Sequence, residues 1–118
     1  MSQVGPIGER GPYELAAGVR MYPLFGEAGM LNVVELEPEA VVPLHRHDQE
    51  QLGIVLEGLI TMTIDGVDHP CRPDDAYQIP GGVLHGGRAG PEGCRVIDVF
   101  VPVREDYRSL VAGGEHRA

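Results

Sequence analysis

Apolar and polar residues alternate along several short stretches of the chain, and this alternation predicts β-strands. The clearest stretch covers residues 28–40. One predicted face carries Met30, Asn32, Val34 and Leu36. The opposite face carries Glu35 and Glu37, and Pro38 would end the strand. Further strands are predicted at 19–26, 51–58, 59–66, 75–82 and 93–103.

Turn-forming residues separate these stretches. The segments 51–58 and 59–66 would form a hairpin around Glu57-Gly58, and Asp65-Gly66 would form the next hairpin turn. Strands that recur every 8 to 15 residues in a chain of 118 residues predict an all-β sandwich or small barrel. Residues 104–114 are the one stretch with a helical pattern, which Gly113-Gly114 would end.

The domain organisation expected from this pattern is simple. Residues 1–18 are rich in glycine and polar residues and are interpreted as a loosely held N-terminal arm. Residues 19–118 would form a single domain, because this length suits one hydrophobic core. The 17 glycines and 10 prolines favour many turns over long helices.

Charge and composition argue against several classes of partner. The net charge is −9 and the chain has no lysine, which argues against a nucleic acid partner. No apolar run reaches the length of a membrane span, and the N-terminus lacks the pattern of a signal peptide. A cytoplasmic protein is expected, with Cys71 and Cys94 as free, mostly buried thiols.

The chemistry of the chain centres on the segment PLHRHDQEQLGIVLEG (43–58). His45 and His47 are two residues apart on an extended segment, so their imidazoles would point to the same side. A short turn could bring the Gln51 amide to the same point, and IPGGVLH supplies His85 from a distant strand. Two imidazoles inside a barrel make half of a metal site. The alternative is a set of surface histidines, which is the default placement for His69 and His116.

These residues resemble the two motifs of the cupin family. His-x-His followed by a polar residue and glycine resembles the first motif, and Pro80, Gly82 and His85 match the second. Gln51 stands where cupins usually carry Glu, and Asp74 replaces the glycine that usually opens the second motif. The resemblance covers roughly residues 28–103. It implies an all-β cupin fold, a double-stranded β-helix or jelly-roll barrel with a short C-terminal helical tail.

The motif HxHxxEQ, the PGGVxHG turn and the closing DVFVPVRED are similar to the small cupins of pectin and alginate degradation. Those enzymes linearise unsaturated monouronates, and cupin-type polyketide cyclases are also similar. The resemblance implies one divalent metal ion per chain (Zn, Ni, Fe or Mn) on His45, His47, Gln51 and His85. It implies that Asp98, Phe100 and Arg104 complete the catalytic site.

The residues around Asp98 support a functional role independently of the resemblance. Asp98 shares a strand face with Val96 and Phe100, so its carboxylate would be buried and would need a partner or a task. It could be a proton carrier, a structural partner of Arg104, or a residue that orients a metal ligand. Tyr77 could line the pocket or belong to the core.

The function that follows is a metal-dependent isomerase or cyclase acting on a small anionic or carbonyl-bearing molecule without redox change. A cupin-type dioxygenase and a non-catalytic small-molecule-binding protein are the alternatives. Ile97, Val99 and Val101 share the face opposite Asp98, which must be covered by a second sheet or by a partner subunit. A homodimer is therefore expected.

Overall fold

The computed structural model describes residues 1–114 and contains eight β-strands among them. A short 3-10 helix at Ile7–Arg10 precedes the strands, which are β1 (Tyr13–Ala16), β2 (Val19–Phe25), β3 (Met30–Leu36), β4 (Val41–His45), β5 (Glu50–Ile64), β6 (Val67–Cys71), β7 (Ala76–Ile79) and β8 (His85–Val101). One helix, α1 (Glu105–Gly113), follows them. The all-β prediction and the helical tail are confirmed, whereas His116 lies outside the described residues.

Two long strands, β5 and β8, pair with each other and join two halves of the sheet. The first half has the order β1-β2-β3-β8-β5, and β7 extends it on β5. The second half pairs β4 with the start of β8, and the end of β5 with β6. Apolar residues of both halves, such as Leu36 and Ile60, belong to one buried cluster. The halves therefore enclose a common core.

The predicted hairpin around Glu57-Gly58 is wrong. Residues 50–64 form the single strand β5, and the pairing with β8 shifts register between Val55 and Glu57 and between Gly58 and Ile60. Gly58 has a φ of 73°, and a Cβ there would collide with the carbonyl of Gly93. The glycine thus allows a bulge that bends a continuous strand, rather than a turn that reverses it.

Residues 13–16 of the predicted arm also differ from the expectation. Tyr13–Ala16 form β1, which pairs with β2, and Tyr13 is buried. A loosely held arm is therefore wrong for this part of residues 1–18. The alternation here is too short to identify a strand, because β1 has only four residues. The division into an arm and a single domain at 19–118 otherwise stays a prediction.

The predicted hairpin turn at Asp65-Gly66 and the predicted end of the helix at Gly113-Gly114 are both confirmed. Asp65 and Gly66 have φ values of 50° and 80° and connect β5 to β6, as a two-residue hairpin turn requires. Gly114 has a φ of 68° and ends α1 in the left-handed conformation. No helix within residues 1–114 is long and apolar enough to cross a membrane.

Candidate metal centre

Three histidines from two strands converge at one end of the barrel. His45 ends β4 and is paired with His85, which begins β8. His47 lies two residues beyond His45, just after the strand. The ring centroids are 5.5 Å apart for His45 and His47, 4.4 Å for His45 and His85, and 4.8 Å for His47 and His85. One nitrogen from each ring lies within 4.8 Å of the other two, a spacing that a single metal ion could bridge.

Each imidazole is fixed by a hydrogen bond from Nδ1 to a backbone carbonyl two residues away. The acceptors for His45, His47 and His85 are the carbonyl oxygens of Pro43, Gln49 and Val83, at 2.8, 3.0 and 2.8 Å. Because a carbonyl can only accept, Nδ1 carries the proton in each ring. The remaining Nε2 atoms present lone pairs. This is the usual way in which an outer hydrogen bond sets the tautomer of a metal-binding histidine.

Gln51 supplies an oxygen to the same point. Its Oε1 lies 3.2 Å from Nε2 of His47 and 3.1 Å from Nε2 of His85. With both Nδ1 atoms protonated, neither Nε2 has a proton to donate, so these contacts bring acceptor against acceptor. A cation bound between the three atoms would turn this repulsion into attraction. The donor set of three imidazole nitrogens and one amide oxygen therefore fits a divalent metal ion.

The histidines are also in the protonation state that metal binding needs. Burial, together with the nearby charge of Arg104, lowers the pKa of His47 to about 4. Burial likewise lowers the pKa of His85. Both rings are therefore neutral near pH 7, and protons compete weakly with a metal for their lone pairs. Glu50 is exposed and accepts a 2.9 Å hydrogen bond from Gln78, away from the histidines.

Asp98 lies beside this cluster, in the interior of the barrel. It is buried, and its Oδ1 accepts a 2.6 Å hydrogen bond from the hydroxyl of Tyr77. Burial raises the pKa of Asp98 to about 6, although the hydrogen bonds of Tyr77 and Gln51 and the charge of Arg104 oppose the rise. A carboxyl group with this pKa can gain or lose a proton near neutral pH.

Arg104 is buried but does not pair with Asp98, so the structural ion pair considered from the sequence is wrong. Its Nε and Nη2 donate to the two carboxylate oxygens of Asp106, at 3.0 and 2.7 Å. The guanidinium carbon lies 4.0 Å from the ring centroid of Tyr107 and 5.1 Å from that of Phe100. The Nη1 atom is buried and has no hydrogen-bond partner among residues 1–114.

Phe100 lies between the histidines and Arg104. Its ring centroid is 5.4 Å from that of His47, in an edge-to-face arrangement, and it belongs to a buried cluster with Met30 and Val103. Phe100 therefore packs against the candidate metal ligand His47 and against Arg104 at once, which restricts the positions of both.

A cavity of about 360 Å³ opens at the centre. This volume is at the small end of the range for small-molecule sites, about 300–1,000 Å³. Its polar lining consists of His45, His85, Gln51, Asp98, Arg104, Asn32, Tyr77 and Tyr107. The rest is mostly apolar and comes from β1 to β5 and β8. The cavity thus places an apolar chamber next to the histidines.

Sequence reasoning missed several residues of this site. Asp106 ends the DVFVPVRED stretch and Tyr107 follows it, but the sequence pattern gives neither a role, although both contact Arg104. Asn32 lies on a predicted apolar face, and the sequence pattern assigns it no role. A polar residue within an otherwise apolar row is a usable signal, and it was present in the sequence.

Comparisons with known proteins agree with this geometry. Residues 32–100 match the cupin domain family. Dimethylsulfoniopropionate lyase DddW of Ruegeria pomeroyi is 42% identical over 66 residues, which are 56% of this chain and 43% of the lyase. The pectin degradation protein KdgF of Dickeya dadantii is 30% identical over 79 residues, which are 66% of this chain and 72% of that protein. The chain thus spans less than half the length of DddW.

Solved structures give the same result for the whole fold. The structure of KdgF from a Halomonas species has a TM-score of 0.84 at 25% identity, covering 91% of this chain and 99% of that one. An RmlC-like cupin from Shewanella frigidimarina has a TM-score of 0.81 at 29% identity, covering 90% and 96%. The fold expected from the two histidine motifs is confirmed, and the chain belongs to the cupin family.

Proposed function

We propose that this protein is a metal-dependent cupin enzyme that moves a proton on a small anionic substrate without redox change. The observation that carries the proposal is the position of Asp98, a buried carboxyl group with a pKa of about 6, beside the His45, His47 and His85 cluster. The reaction class is ring opening, ring closure or enol–keto isomerisation.

The metal site would consist of His45, His47, Gln51 and His85, with one divalent ion (Zn, Ni, Fe or Mn) per chain. The convergence of the three rings and the acceptor contacts of Gln51 support this set. When bound, the ion would act as a Lewis acid on a carbonyl or hydroxyl group of the substrate.

Arg104 would bind the anionic group of the substrate. Asp106 already holds two of its nitrogens, so the guanidinium is positioned and only Nη1 lacks a partner. A carboxylate at Nη1 would satisfy this donor in a buried site, where a charge-assisted hydrogen bond is strong. Phe100 would hold the guanidinium and His47 at their present separation.

Asp98 would then transfer the proton. The Tyr77 hydroxyl and the Gln51 amide favour its ionised form, in which it can accept a proton from a carbon or oxygen of the substrate. The protonated carboxyl group can return the proton at a neighbouring atom, which completes an isomerisation. Asp98 and Arg104 both line the cavity, which has room for a small substrate.

An elimination reaction is a second candidate, favoured by the 42% identity to dimethylsulfoniopropionate lyase DddW over 66 residues. Elimination from a carboxylic acid needs a base at the carbon next to the carboxylate and a cation on the carboxylate. Asp98 and Arg104 could supply both. Isomerisation and elimination differ in what leaves the substrate, not in the groups that remove the proton.

Assembly and location belong to the same proposal. The outer face of β5 and β8 exposes apolar side chains, including Leu52 and Val101, which are 44% and 47% exposed. A second copy of the chain would cover this face in a two-fold symmetric homodimer. Cys71 and Cys94 are both free, which is consistent with a cytoplasmic protein.

The test is an assay of the metal-loaded protein with two substrates, a 4,5-unsaturated monouronate and dimethylsulfoniopropionate. Isomerisation of the first is followed by loss of its enol-ether absorbance, and elimination from the second by release of dimethyl sulfide. Turnover of either compound that disappears with a chelator and returns with a divalent metal supports the proposal. Turnover that survives complete metal removal would contradict it.

A further inference from the structure

Asn32 is a buried polar residue that the proposed mechanism does not use. It is 1% exposed and lies in the middle of β3, where Met30, Val34 and Leu36 on the same face are apolar and buried. Its side chain lines the cavity. A buried amide without hydrogen bonds is unfavourable, so an apolar residue of similar volume would give a more stable fold at this position.

The hydrogen bonds of the Asn32 amide are incomplete. Its Nδ2 donates to the sulfur of Met21 at 3.4 Å, a weak acceptor, and its Oδ1 is buried without a hydrogen-bond donor among the described residues. Rotating the amide by 180° would place the oxygen against the sulfur, which has no proton to donate. In either orientation the amide keeps an unsatisfied atom, and Asn32 is one of the residues that line the cavity.

The register of the sheet places Asn32 next to the proposed proton carrier. Asn32 on β3 is paired directly with Asp98 on β8. Side chains at paired positions share one face of the sheet, with their Cβ atoms about 4.5–5.5 Å apart. A substrate group bound to Asn32 would therefore lie beside the atom whose proton Asp98 transfers.

The surroundings restrict what that group can belong to. Beyond its polar end, the cavity is bounded by apolar side chains from both halves of the barrel, including Val19, Leu36, Ile60 and Met62. Hydroxyl groups pointing at these walls would lose their hydrogen bonds to water without replacement. A polyhydroxylated sugar acid fits such a chamber poorly, whereas an apolar ring or chain fits it well.

We propose that Asn32 is a specificity-determining residue whose Oδ1 accepts a hydrogen bond from a substrate hydroxyl, and that the substrate is a mostly apolar anion carrying such an enolic or phenolic hydroxyl. This inference rests on the proposed function, because it takes the cavity as the substrate site. It goes further by naming the recognised group and the character of the remainder. The anionic group would lie at Arg104 and the hydroxyl at Asn32, on either side of Asp98.

Binding of three small probes to the metal-loaded protein tests this without turnover. The probes are benzoate, 3-hydroxybenzoate and 4-hydroxybenzoate, and their affinities are measured by isothermal titration calorimetry. The 2-hydroxy isomer is omitted because it can chelate a metal. At least one hydroxylated probe should bind about 3- to 10-fold more tightly than benzoate, the usual contribution of one hydrogen bond. Galacturonate, which has several hydroxyls, should bind more weakly than benzoate and than both hydroxybenzoates.

The matched variant is Asn32→Leu, which keeps the volume and removes the amide. It should stay folded with an unchanged or higher melting temperature and should bind benzoate as the wild type does, but the preference for the hydroxylated probe should vanish. A wild type that does not distinguish the probes, or galacturonate binding most tightly, would overturn the proposal. A preference that persists in Asn32→Leu would assign the hydroxyl to another residue.

The proposed function can fail separately from this inference. Loss of metal dependence in the turnover assay would contradict the mechanism while leaving the probe affinities as measured. Loss of the hydroxyl preference, or efficient turnover of the unsaturated monouronate, would contradict the inference while leaving the metal-dependent mechanism intact.

Discussion

The hydroxyl of Tyr77 donates a 2.6 Å hydrogen bond to Oδ1 of Asp98, although β7 and β8 are not neighbours in the sheet. The strand between them is β5, and the residue paired with both is Gly53. A Cβ at Gly53 would collide with the ring of Tyr77. The missing side chain of Gly53 therefore lets Tyr77 lie across β5 and reach the carboxylate.

The first prediction concerns the pH dependence of activity. As a base, Asp98 must be ionised, so kcat/KM should rise with pH through its pKa of about 6. The Tyr77 hydrogen bond favours the ionised form, so Tyr77→Phe should raise this pKa and move the rise to higher pH. The measurement is kcat/KM between pH 4.5 and 8. Tyr22→Phe, which removes a hydrogen bond to Glu35 elsewhere, is the control and should leave the profile unchanged. An identical profile in Tyr77→Phe would exclude the coupling.

The second prediction is that Gly53→Ala changes the pH dependence of activity. Its Cβ should displace Tyr77 and so separate the hydroxyl from Asp98, because the collision is with the ring itself. We expect the pH profile of Gly53→Ala to shift in the same direction as that of Tyr77→Phe, with a lower melting temperature from the distorted packing. Gly8→Ala, where a Cβ meets nothing within 4 Å, is the matched control. If Gly53→Ala lowered the melting temperature and left the profile unchanged, the role of Gly53 would be packing alone.

The sequence predicts the convergence of the three histidines better than it predicts the surroundings of Asp98. His45, His47 and Gln51 are close in the chain, so the end of β4 and the short bend before β5 are enough to bring them together. The contact between Tyr77 and Asp98 depends on pairing between strands that are distant in sequence. It also depends on Gly53. From the sequence alone a glycine at this position suggests a loop, and only the pairing of Gly53 with Tyr77 explains it. No local pattern contains that information.

The same limit explains the error at Glu57-Gly58. A glycine after an apolar run is typical of a hairpin turn, and it is equally typical of a bulge. A bulge forms instead of a turn when a long strand pairs with both sides of the glycine, and β8 pairs with β5 on both sides of Gly58. Arg104 is a further case, since its partner Asp106 is two residues away and would have been a simple prediction, but the more distant Asp98 was considered instead.

The third prediction is metal content. The purified protein should carry about one divalent ion per chain, measured by inductively coupled plasma mass spectrometry. His47→Ala should lose most of it, because it removes one of three converging nitrogens. His69→Ala changes an exposed histidine outside the cluster and is the control. Full metal content in His47→Ala, or none in a wild type grown and refolded with divalent metals, would contradict the site.

The fourth prediction concerns assembly. The wild type should be a dimer at micromolar concentration by light scattering, since an exposed apolar sheet face favours burial. Val101→Asp places a charge on that face and should give a monomer. Val67→Asp changes a comparably exposed residue, 56% against 47%, on β6 instead. It should leave the dimer intact. A monomeric wild type would exclude the dimer. If both variants remained dimeric, the interface would lie elsewhere.

The last prediction separates catalysis from architecture at Asp98. If Asp98 carries the proton, Asp98→Asn should lower turnover by roughly 10²–10⁴-fold. If it chiefly orients Gln51, the variant should lose metal affinity by about 10–100-fold. Metal titration alongside the assay distinguishes these outcomes.

Stability adds an independent measurement on the metal-free protein. Burial raises the pKa of Asp98 from 3.8 to about 6, so the folded state binds more protons than the unfolded state between these values. Wild-type stability should therefore fall as pH rises from about 4 to about 6, and the loss should persist above pH 6. The shift corresponds to about 3 kcal/mol at about 1.4 kcal/mol per pKa unit.

Asp98→Asn has no titratable group at this position and should escape that loss. The lowered pKa of His47 acts in the opposite direction, but it acts in both proteins and cancels in their difference. The variant should thus become more stable relative to the wild type as pH rises through this window, measured by urea denaturation at pH 4, 5, 6 and 7. A variant that is equally destabilised at every pH would mean that the fold needs the carboxylate itself. High turnover in a stable, metal-loaded Asp98→Asn protein would refute the role of Asp98 in proton transfer.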